Sequence, residues 1–530
     1  MAARPPIQLY DATLRDGMQG EGMSLSAAEK IRIAHKLDEL GIDLIEAGFV
    51  ASNPKEAELF GLLAHERFEH SQIAAFGMTR RRGSAPDADP GLRALARCFA
   101  PVCTVVGKTW TLHLEKVVRV DREENLAMIA ESVAFLVAEG KRVVYDAEHF
   151  FDAWRADRAY ALRCLGAAAA AGAQTIALCD TNGSSLPYEI TAAVSVVAAE
   201  LGGAVALGIH CHDDAGCGVA NSIAGVQAGA TQVQATVNGC GERTGNADMI
   251  AIVANLQLKL GRRCVSEDQL ARLTEVSHFV NELLNFVPDP NQPYVGRNAF
   301  AHKGGLHVAG VSADAATFEH VDPAQVGNTR ELLVSELSGA GTIRQKAADR
   351  GIALDDPTAA RVLARVKALE HAGHHFEAAQ ASFDLLLARE TGGYERLFTL
   401  ESWRVIVEQR ADGRVDTEAT IKIWVDGERY VRTAEGNGPV HALDAALRGA
   451  IGETHPHLRD IELVNFKVRI LDEAKGTGAV TRVLIDASDG HDVWGTIGVS
   501  ENLIAASWDA LVDSLEYGMQ PRPARASPSS

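Results

Sequence analysis

Three things are missing from this 530-residue chain. No stretch reaches the roughly 20 uninterrupted apolar residues that a membrane-spanning helix needs, so no membrane span is expected. The opening residues, MAARPPIQLYDATLRDG, turn polar at once and hold no apolar h-region, so no secretory leader is expected. None of the eight cysteines (Cys98, Cys103, Cys164, Cys179, Cys211, Cys217, Cys240 and Cys264) forms a CxxC pair. Several sit in apolar runs, where a reduced cysteine behaves as a small hydrophobe. That pattern suits a reduced, cytoplasmic protein better than a disulfide framework. Positive charge is also scarce: 51 Lys and Arg against 70 Asp and Glu leave a formal net charge of −19, which argues against a nucleic-acid surface.

What is present is an ordinary globular composition, 47% hydrophobic and 23% charged, in a chain long enough for two or three domains. Through residue 260 or so, short apolar runs alternate with segments of helical period. The runs are IQLYDA (7–12), DLIEAGF (43–49), IAAFGM (73–78), CTVVGK (103–108), RVVYDAEHF (142–150), TIALCD (175–180), VALGIHCH (205–212) and QVQATVNG (232–239). Eight strands in βα alternation predict a (β/α)8 TIM barrel, with a doubly wound open sheet as the alternative. Residues 265–395 read as mostly helical linker subdomains carrying a Gly-rich polar insert, GRNAFAHKGGLHVAG (296–310). Residues 396–520 alternate with period 2, as half-exposed antiparallel strands do, with helices near 440–450 and 501–517. The domain reading is therefore a barrel over 1–264, a linker region over 265–395, an α+β domain over 396–520 and a disordered Pro/Ser-rich tail over 521–530.

The most informative run is HCHDDAG (210–216). His210 and His212 are two apart, so on a strand both imidazoles share one face. Such a pair reads either as divalent-metal ligands or as structural histidines. In a barrel the chemistry gathers at the C-terminal strand ends, and here nearly every end carries a functional group. Arg15 and Asp16 follow the first strand, Glu46 lies near the end of the second, and Lys108 ends the fourth. Glu148 closes the fifth, Asp180–Thr181 the sixth, and NGCGERTGN (238–246) follows the eighth.

Asp16 offers a hard oxygen ligand and Asn246 a neutral one. With two histidines they compose a mixed N/O site open to Mn, Mg, Zn or Co. Arg15 is a fixed cation for a carboxylate or a developing oxyanion. Glu148 reads as an acid/base or as half of a salt bridge, and Thr181 as a hydroxyl donor or a helix cap. The arginines of TRRRGSAPDADPG (79–91) read as coenzyme A phosphate contacts or as a solvated loop. Met78, Val105, Val106 and Tyr145 are candidate fillers of a small substrate pocket or ordinary barrel core.

LRDGMQ (14–19), LGIHCHDDAGCGVA (207–220), NGCGERTGN and AFAHKGGLH (299–307) together resemble the isopropylmalate/homocitrate/citramalate synthase family. That family belongs to the metal-dependent group that includes hydroxymethylglutaryl-CoA lyase. The wording YDATLRDGMQGEGM, VVGKTW, YDAEHFFDAW and FAHKGGLHVAGV is most similar to the family's long bacterial citramalate-forming branch.

The resemblance implies a Claisen-type condensation of acetyl-CoA with a small 2-keto acid, pyruvate in that branch. It implies a metal held by Asp16, His210, His212 and Asn246, and a keto acid gripped by Arg15 and Thr181. By the same likeness Arg15, Glu148 and His307 are catalytic. Phe318 stands where family members often carry a tyrosine, which removes a phenolic hydroxyl. The C-terminal domain resembles the family's regulatory domain, implying a homodimer and feedback by isoleucine. The competing readings are 2-isopropylmalate or homocitrate synthase, and a C–C lyase on the same barrel, which would not need the C-terminal domain.

Overall fold

The computed structural model describes residues 6–334, 339–394, 396–452 and 454–520. The tail expected at 521–530 lies outside the described residues. Eight parallel strands close into a barrel in the order β1 to β8. They are β1 (Gln8–Asp11), β2 (Leu44–Phe49), β3 (Gln72–Met78), β4 (Val102–Lys108), β5 (Arg142–Glu148), β6 (Thr175–Asp180), β7 (Ala206–Cys211) and β8 (Gln232–Ala235). The barrel reading is right, and the open sheet is excluded because β1 pairs with β8.

Alternation along each strand decides what faces where. Outward residues such as Ile45, Val105, Tyr145, Leu178, Ile209 and Val233 are buried against the surrounding helices in one large apolar cluster. Inward residues near the strand N-termini form a small apolar plug of Tyr10, Leu44, Ala74, Val102 and Val144. Above that plug the interior turns polar, with Glu46, Thr104, Asp146, Gln232 and Gln234 all buried. A barrel core packed this way can hold charge only where partners are supplied.

The eighth strand is shorter than its apolar run. After Ala235 the chain leaves the sheet, and Val237–Gly239 forms a 3-10 turn with Asn238 at φ 58°. The Thr13 hydroxyl captures the Val237 N–H at 2.8 Å and draws the turn toward the first strand end. Asn at a left-handed position suits this turn.

The chain divides into two compact units, one reaching Phe300 with His320–Arg330 and the other holding Ala301–Glu319 and the residues from Glu331 on. The second unit contains helices Gly305–Ala313, Ala340–Ala348, Asp356–His371 and Gln380–Thr391. It also contains a short parallel pair absent from the helical expectation, β9 (Ala301–His302) with β10 (Glu331–Leu332). Two ββ-β-helix repeats follow. One is β11 (Thr399–Gln409), β12 (Val415–Val425), β13 (Glu428–Gly436) and helix Pro439–Ile451. The other is β14 (Glu462–Ile470), β15 (Thr481–Ser488), β16 (Val493–Ser500) and helix Leu503–Met519. Inner-face residues Ala419, Ile421, Ile423, Val483 and Ile485 share one core with both helices.

Within that second unit Glu516 is buried, accepting from the Tyr394 hydroxyl and lying beside Arg389. Burial pushes its carboxyl up to about 7, against the pull of Arg389. The folded form therefore takes up a proton more readily than the unfolded chain. Its contribution is fully present below pH 4.5 and is lost as pH rises through about 7. Glu516→Gln lacks this titration, so the variant's thermal midpoint should gain on wild type between pH 5 and 8 in melting curves run in parallel. An unchanged difference across that range would contradict the assignment.

Candidate active site

The first strand ends in a tight turn in which the N–H groups of Arg15, Asp16 and Gly17 all reach the Ala12 carbonyl, at 3.2, 2.9 and 3.1 Å. Thr13 locks the turn through Asp11, whose two oxygens accept its N–H and hydroxyl at 2.9 Å each. Arg15 and Asp16 are thereby delivered to the barrel mouth. Arg15 Nε donates to Glu46 Oε2 at 2.6 Å, and the guanidinium lies 4.0 Å from the Phe76 ring centroid. The other Glu46 oxygen accepts from the Tyr10 hydroxyl at 2.7 Å, and that hydroxyl also meets Thr104 Oγ1 at 2.6 Å. A charged pair this deep is held by its geometry and by a hydrogen bond to each carboxylate oxygen.

Asp16 Oδ2 lies 3.2 Å from His210 Nε2 and 3.8 Å from His212 Nε2. Ligating atoms of all three residues fall within 4.8 Å of one another, and all three residues are buried. Burial opposes charge on Asp16, but Arg15 and the two histidines outweigh it and hold its carboxyl far below the usual range. Burial likewise opposes a charged His210, yet its hydrogen bond to the Asp16 carboxylate and that group's charge hold its pKa up. His212, desolvated and beside His210, is lowered to about 4.

The polar atoms around this cluster fit a cation. Asn246 pairs with His212 through an isolated backbone bridge. Its amide nitrogen is committed to the Cys240 carbonyl at 3.0 Å, while its buried Oδ1 has no partner among the described residues. Nδ1 of His212 is also buried, with no hydrogen-bond partner among the described residues. A carboxylate, two imidazoles and a free amide oxygen make the donor set a hard or borderline divalent ion takes.

A cavity of about 310 Å³ opens beside this cluster, lined among others by Arg15, Phe76, Met78, Val106, Glu148 and Thr181. Glu148 sits directly across from Lys108, because β4 and β5 run in register there, and it accepts a hydrogen bond from the Lys108 ammonium. Thr181 Oγ1 accepts the N–H of His149 at 2.9 Å, which holds His149 at φ 55°. Thr181 is not the cap of the following helix, whose N-cap is Leu186. His307 belongs to the second unit, on helix Gly305–Ala313, where it stacks on Phe318 at 4.1 Å between ring centroids.

Some expectations need correction. Val105 and Tyr145 do not line the cavity; alternation turns them outward into the helical layer, and only Met78 and Val106 of the four candidate fillers reach it. Arg80 is not free for a phosphate, because Glu124 and Glu131 hold it at 2.7 Å each. Arg81 and Arg82 stay exposed on a second cavity of about 450 Å³ that shares Phe49, Met78, Val106 and Lys108 with the first. Asp180 serves structure: its carboxylate accepts from the Ser185 hydroxyl and N–H at 2.9 and 3.1 Å.

Other contributors were not singled out from sequence. Arg243 bonds the Thr181 carbonyl at 2.8 Å and Asp214 at 2.7 Å, tying the loop after β8 to the end of β6. Phe76, Asp146 and Gln234 share the inward face; their signal was strand parity, readable by counting back from Met78, Glu148 and the start of the loop.

Residues 6–280 match the HMGL-like family, residues 294–374 the homocitrate synthase post-HMGL domain-like family, and residues 377–519 the LeuA allosteric (dimerisation) domain. The chain is 48% identical over 517 residues to an (R)-citramalate synthase of Streptomyces coelicolor, covering 97% of this chain and 96% of that one. It is 46% identical over 514 residues to an (R)-citramalate synthase of Geobacter sulfurreducens, covering 96% and 97%. A protein of Methanopyrus kandleri named "Probable 2-isopropylmalate synthase" is 34% identical over 513 residues, covering 96% and 97%.

Glu46→Ala would strip Arg15 of its buried partner and leave the Tyr10 hydroxyl short of an acceptor. Removing one half of a buried ion pair costs about 3–5 kcal/mol. Thermal denaturation should show a sharply lowered barrel transition, and a midpoint within a degree of wild type would refute this role.

Proposed function

The chain belongs to the HMGL-like family and aligns with (R)-citramalate synthases over nearly its whole length, and on that footing we propose that it condenses acetyl-CoA, pyruvate and water to (R)-citramalate and CoA in isoleucine synthesis. The observation that carries this is the buried Asp16–His210–His212 cluster beside Arg15, in a chain 48% identical to a citramalate synthase. Asp16, His210, His212 and Asn246 would hold a divalent ion (Mn, Mg, Zn or Co), which supplies Lewis-acid polarisation of a keto carbonyl.

The chain's own groups do the rest. Arg15, with Nε fixed by Glu46 and Nη1 beside Asp16, has its remaining terminal N–H groups for the keto-acid carboxylate and the oxyanion that forms on addition. Thr181 accepts from His149, so its own hydroxyl proton remains to be donated to the same carboxylate. Met78 and Val106 line the space that a larger keto-acid side chain would need, which favours the methyl of pyruvate. Glu148, steadied by Lys108, handles proton transfer, a task in which the family likeness gives His307 a share: one proton leaves the acetyl methyl, the enolate carbon attacks the keto carbon, and water then cleaves the thioester. Phe318 stacks on His307 without a hydroxyl of its own, so the imidazole or a water completes that exchange. The second cavity, with exposed Arg81 and Arg82 at its rim, suits the pantetheine arm and phosphates of acetyl-CoA.

The division of labour follows the chain: the barrel chemistry in 1–264, a linker over 265–395 that carries His307, and regulation and dimerisation in 396–520. Two observations support a homodimer. One is the match to the dimerisation domain. The other is an apolar row on edge strand β14, where Phe466, Val468 and Ile470 are 43%, 46% and 51% exposed on the face that is core at β15. Isoleucine is the proposed effector of that domain and the cytoplasm the proposed location; no described helix is long and apolar enough to cross a membrane.

Two measurements test the reading. Free-thiol release with acetyl-CoA and a panel of pyruvate, 2-oxoisovalerate and 2-oxoglutarate should give pyruvate the highest kcat/KM, with isoleucine inhibiting more than leucine. A preference for 2-oxoisovalerate would move the assignment to 2-isopropylmalate synthase, and fast cleavage of citramalate with CoA to a lyase. Separately, Glu148→Gln should lower kcat by about 10²- to 10⁴-fold, the usual share of general acid–base catalysis, with the thermal midpoint retained. Wild-type turnover in that variant would remove Glu148 from the chemistry.

A further inference from the structure

Beneath the cluster, β7 and β8 run in register so that His210 lies beside Gln234. Gln234 is fully buried. Its Oε1 sits 2.9 Å from His210 Nδ1. Its Nε2 donates to Asp146 Oδ1 at 3.0 Å and to Gln232 Oε1 at 3.3 Å. Gln232 is oriented in turn, since its own Nε2 donates to Gln8 Oε1 at 2.8 Å.

The direction of this chain of amides is set by its ends. Turning the Gln234 amide over would press Oε1 against the Asp146 carboxylate and the Gln232 carbonyl oxygen, acceptor against acceptor. With Nε2 so committed, only Oε1 is left for the imidazole. An amide oxygen cannot donate, so Nδ1 of His210 must carry the hydrogen. With Nδ1 keeping its hydrogen, it is Nε2, the atom 3.2 Å from Asp16, that gives up its proton when a cation binds and turns a lone pair to it. An outer partner of this kind fixes ring orientation and tautomer and raises ligand basicity.

We propose that Gln234, anchored by Asp146 and Gln232, is a positioning residue that sets the His210 tautomer and thereby presents Nε2 to a divalent cation shared with Asp16 and His212. This rests on reading Asp16, His210 and His212 as the cation site, and the test separates the two. Divalent-ion affinity is measured directly on the purified full chain, with Mn²⁺ by titration calorimetry and Co²⁺ by its visible absorption. His212→Ala is the control for the site itself: it should weaken binding of both ions, and binding equal to wild type would overturn the site reading.

Gln234→Leu keeps bulk but offers no acceptor. It should weaken Mn²⁺ and Co²⁺ binding 10- to 100-fold and alter the Co²⁺ spectrum, while the metal-free thermal midpoint stays comparable. Gln234→Glu alone would set a carboxylate oxygen against Asp146, so it is paired with Asp146→Asn, whose amide can donate to it; the double variant still offers Nδ1 an acceptor and should recover most of the affinity. If Gln234→Leu does not fold, Gln234→Asn tests the same contact by drawing the amide back one methylene. Where His212→Ala fails to bind but the folded Gln234 variants bind as wild type with an unchanged Co²⁺ spectrum, the positioning role is wrong and the site reading survives. Equal loss in Gln234→Leu and in the Gln234→Glu/Asp146→Asn pair would also overturn it, since the restored acceptor would then make no difference.

Discussion

The barrel mouth depends on one buried ion pair. Arg15 and Glu46 face each other at 2.6 Å in a space closed by Phe76, Tyr10 and Thr104. A lone guanidinium could not be carried into that space; the desolvation would be too great. Once Glu46 has answered it, Arg15 can stand beside Asp16 and depress its carboxyl, and a carboxylate kept ionised is what the two histidines converge on. The turn at Ala12–Gly17 serves the same end, because three N–H groups on one carbonyl leave Arg15 and Asp16 little freedom to be elsewhere. The order of dependence runs from Glu46 to Arg15 to Asp16 and only then to the imidazoles.

A second dependence is lateral. Two contacts at the site exist because neighbouring strands are in register: Lys108 with Glu148, and His210 with Gln234. Neither pair is near in sequence, and neither could form if one strand slipped by a residue, since every side chain would then change face. The helical layer that packs Val105, Tyr145, Ile209 and Val233 is therefore also what aligns the chemistry.

These two kinds of dependence explain what could be read from the chain. The eight strands were legible because covered parallel strands are apolar on both faces and stand out as short runs between helical segments. His210, His212, Asp16 and Asn246 were legible as a group because they sit at strand ends in recognisable wording, and the fold brings Asp16 and both histidines together. The outward turn of Tyr145 was available from parity: it lies three residues before Glu148, so the two cannot share a face. The commitment of Arg80 was not available, because Glu124 and Glu131 arrive from a helix, Arg122–Ala138, that only packing places there. The Gln234 contact required the register of β7 against β8, a quantity no single strand contains. The short β9–β10 pair was lost for a similar reason: two residues a side carry no periodicity to detect.

The alternation of faces also separates two kinds of mutational consequence along the same six- or seven-residue segments. On β5, Val143, Tyr145 and Ala147 belong to the helical layer, whereas Val144, Asp146 and Glu148 point inward. The inward file itself changes character upward, from a plug of hydrocarbon to buried and cavity-lining carboxylates. A substitution in such a strand is therefore felt either in the helical layer or in the cavity beside Arg15 and Asp16, and one step along the chain exchanges the first consequence for the second.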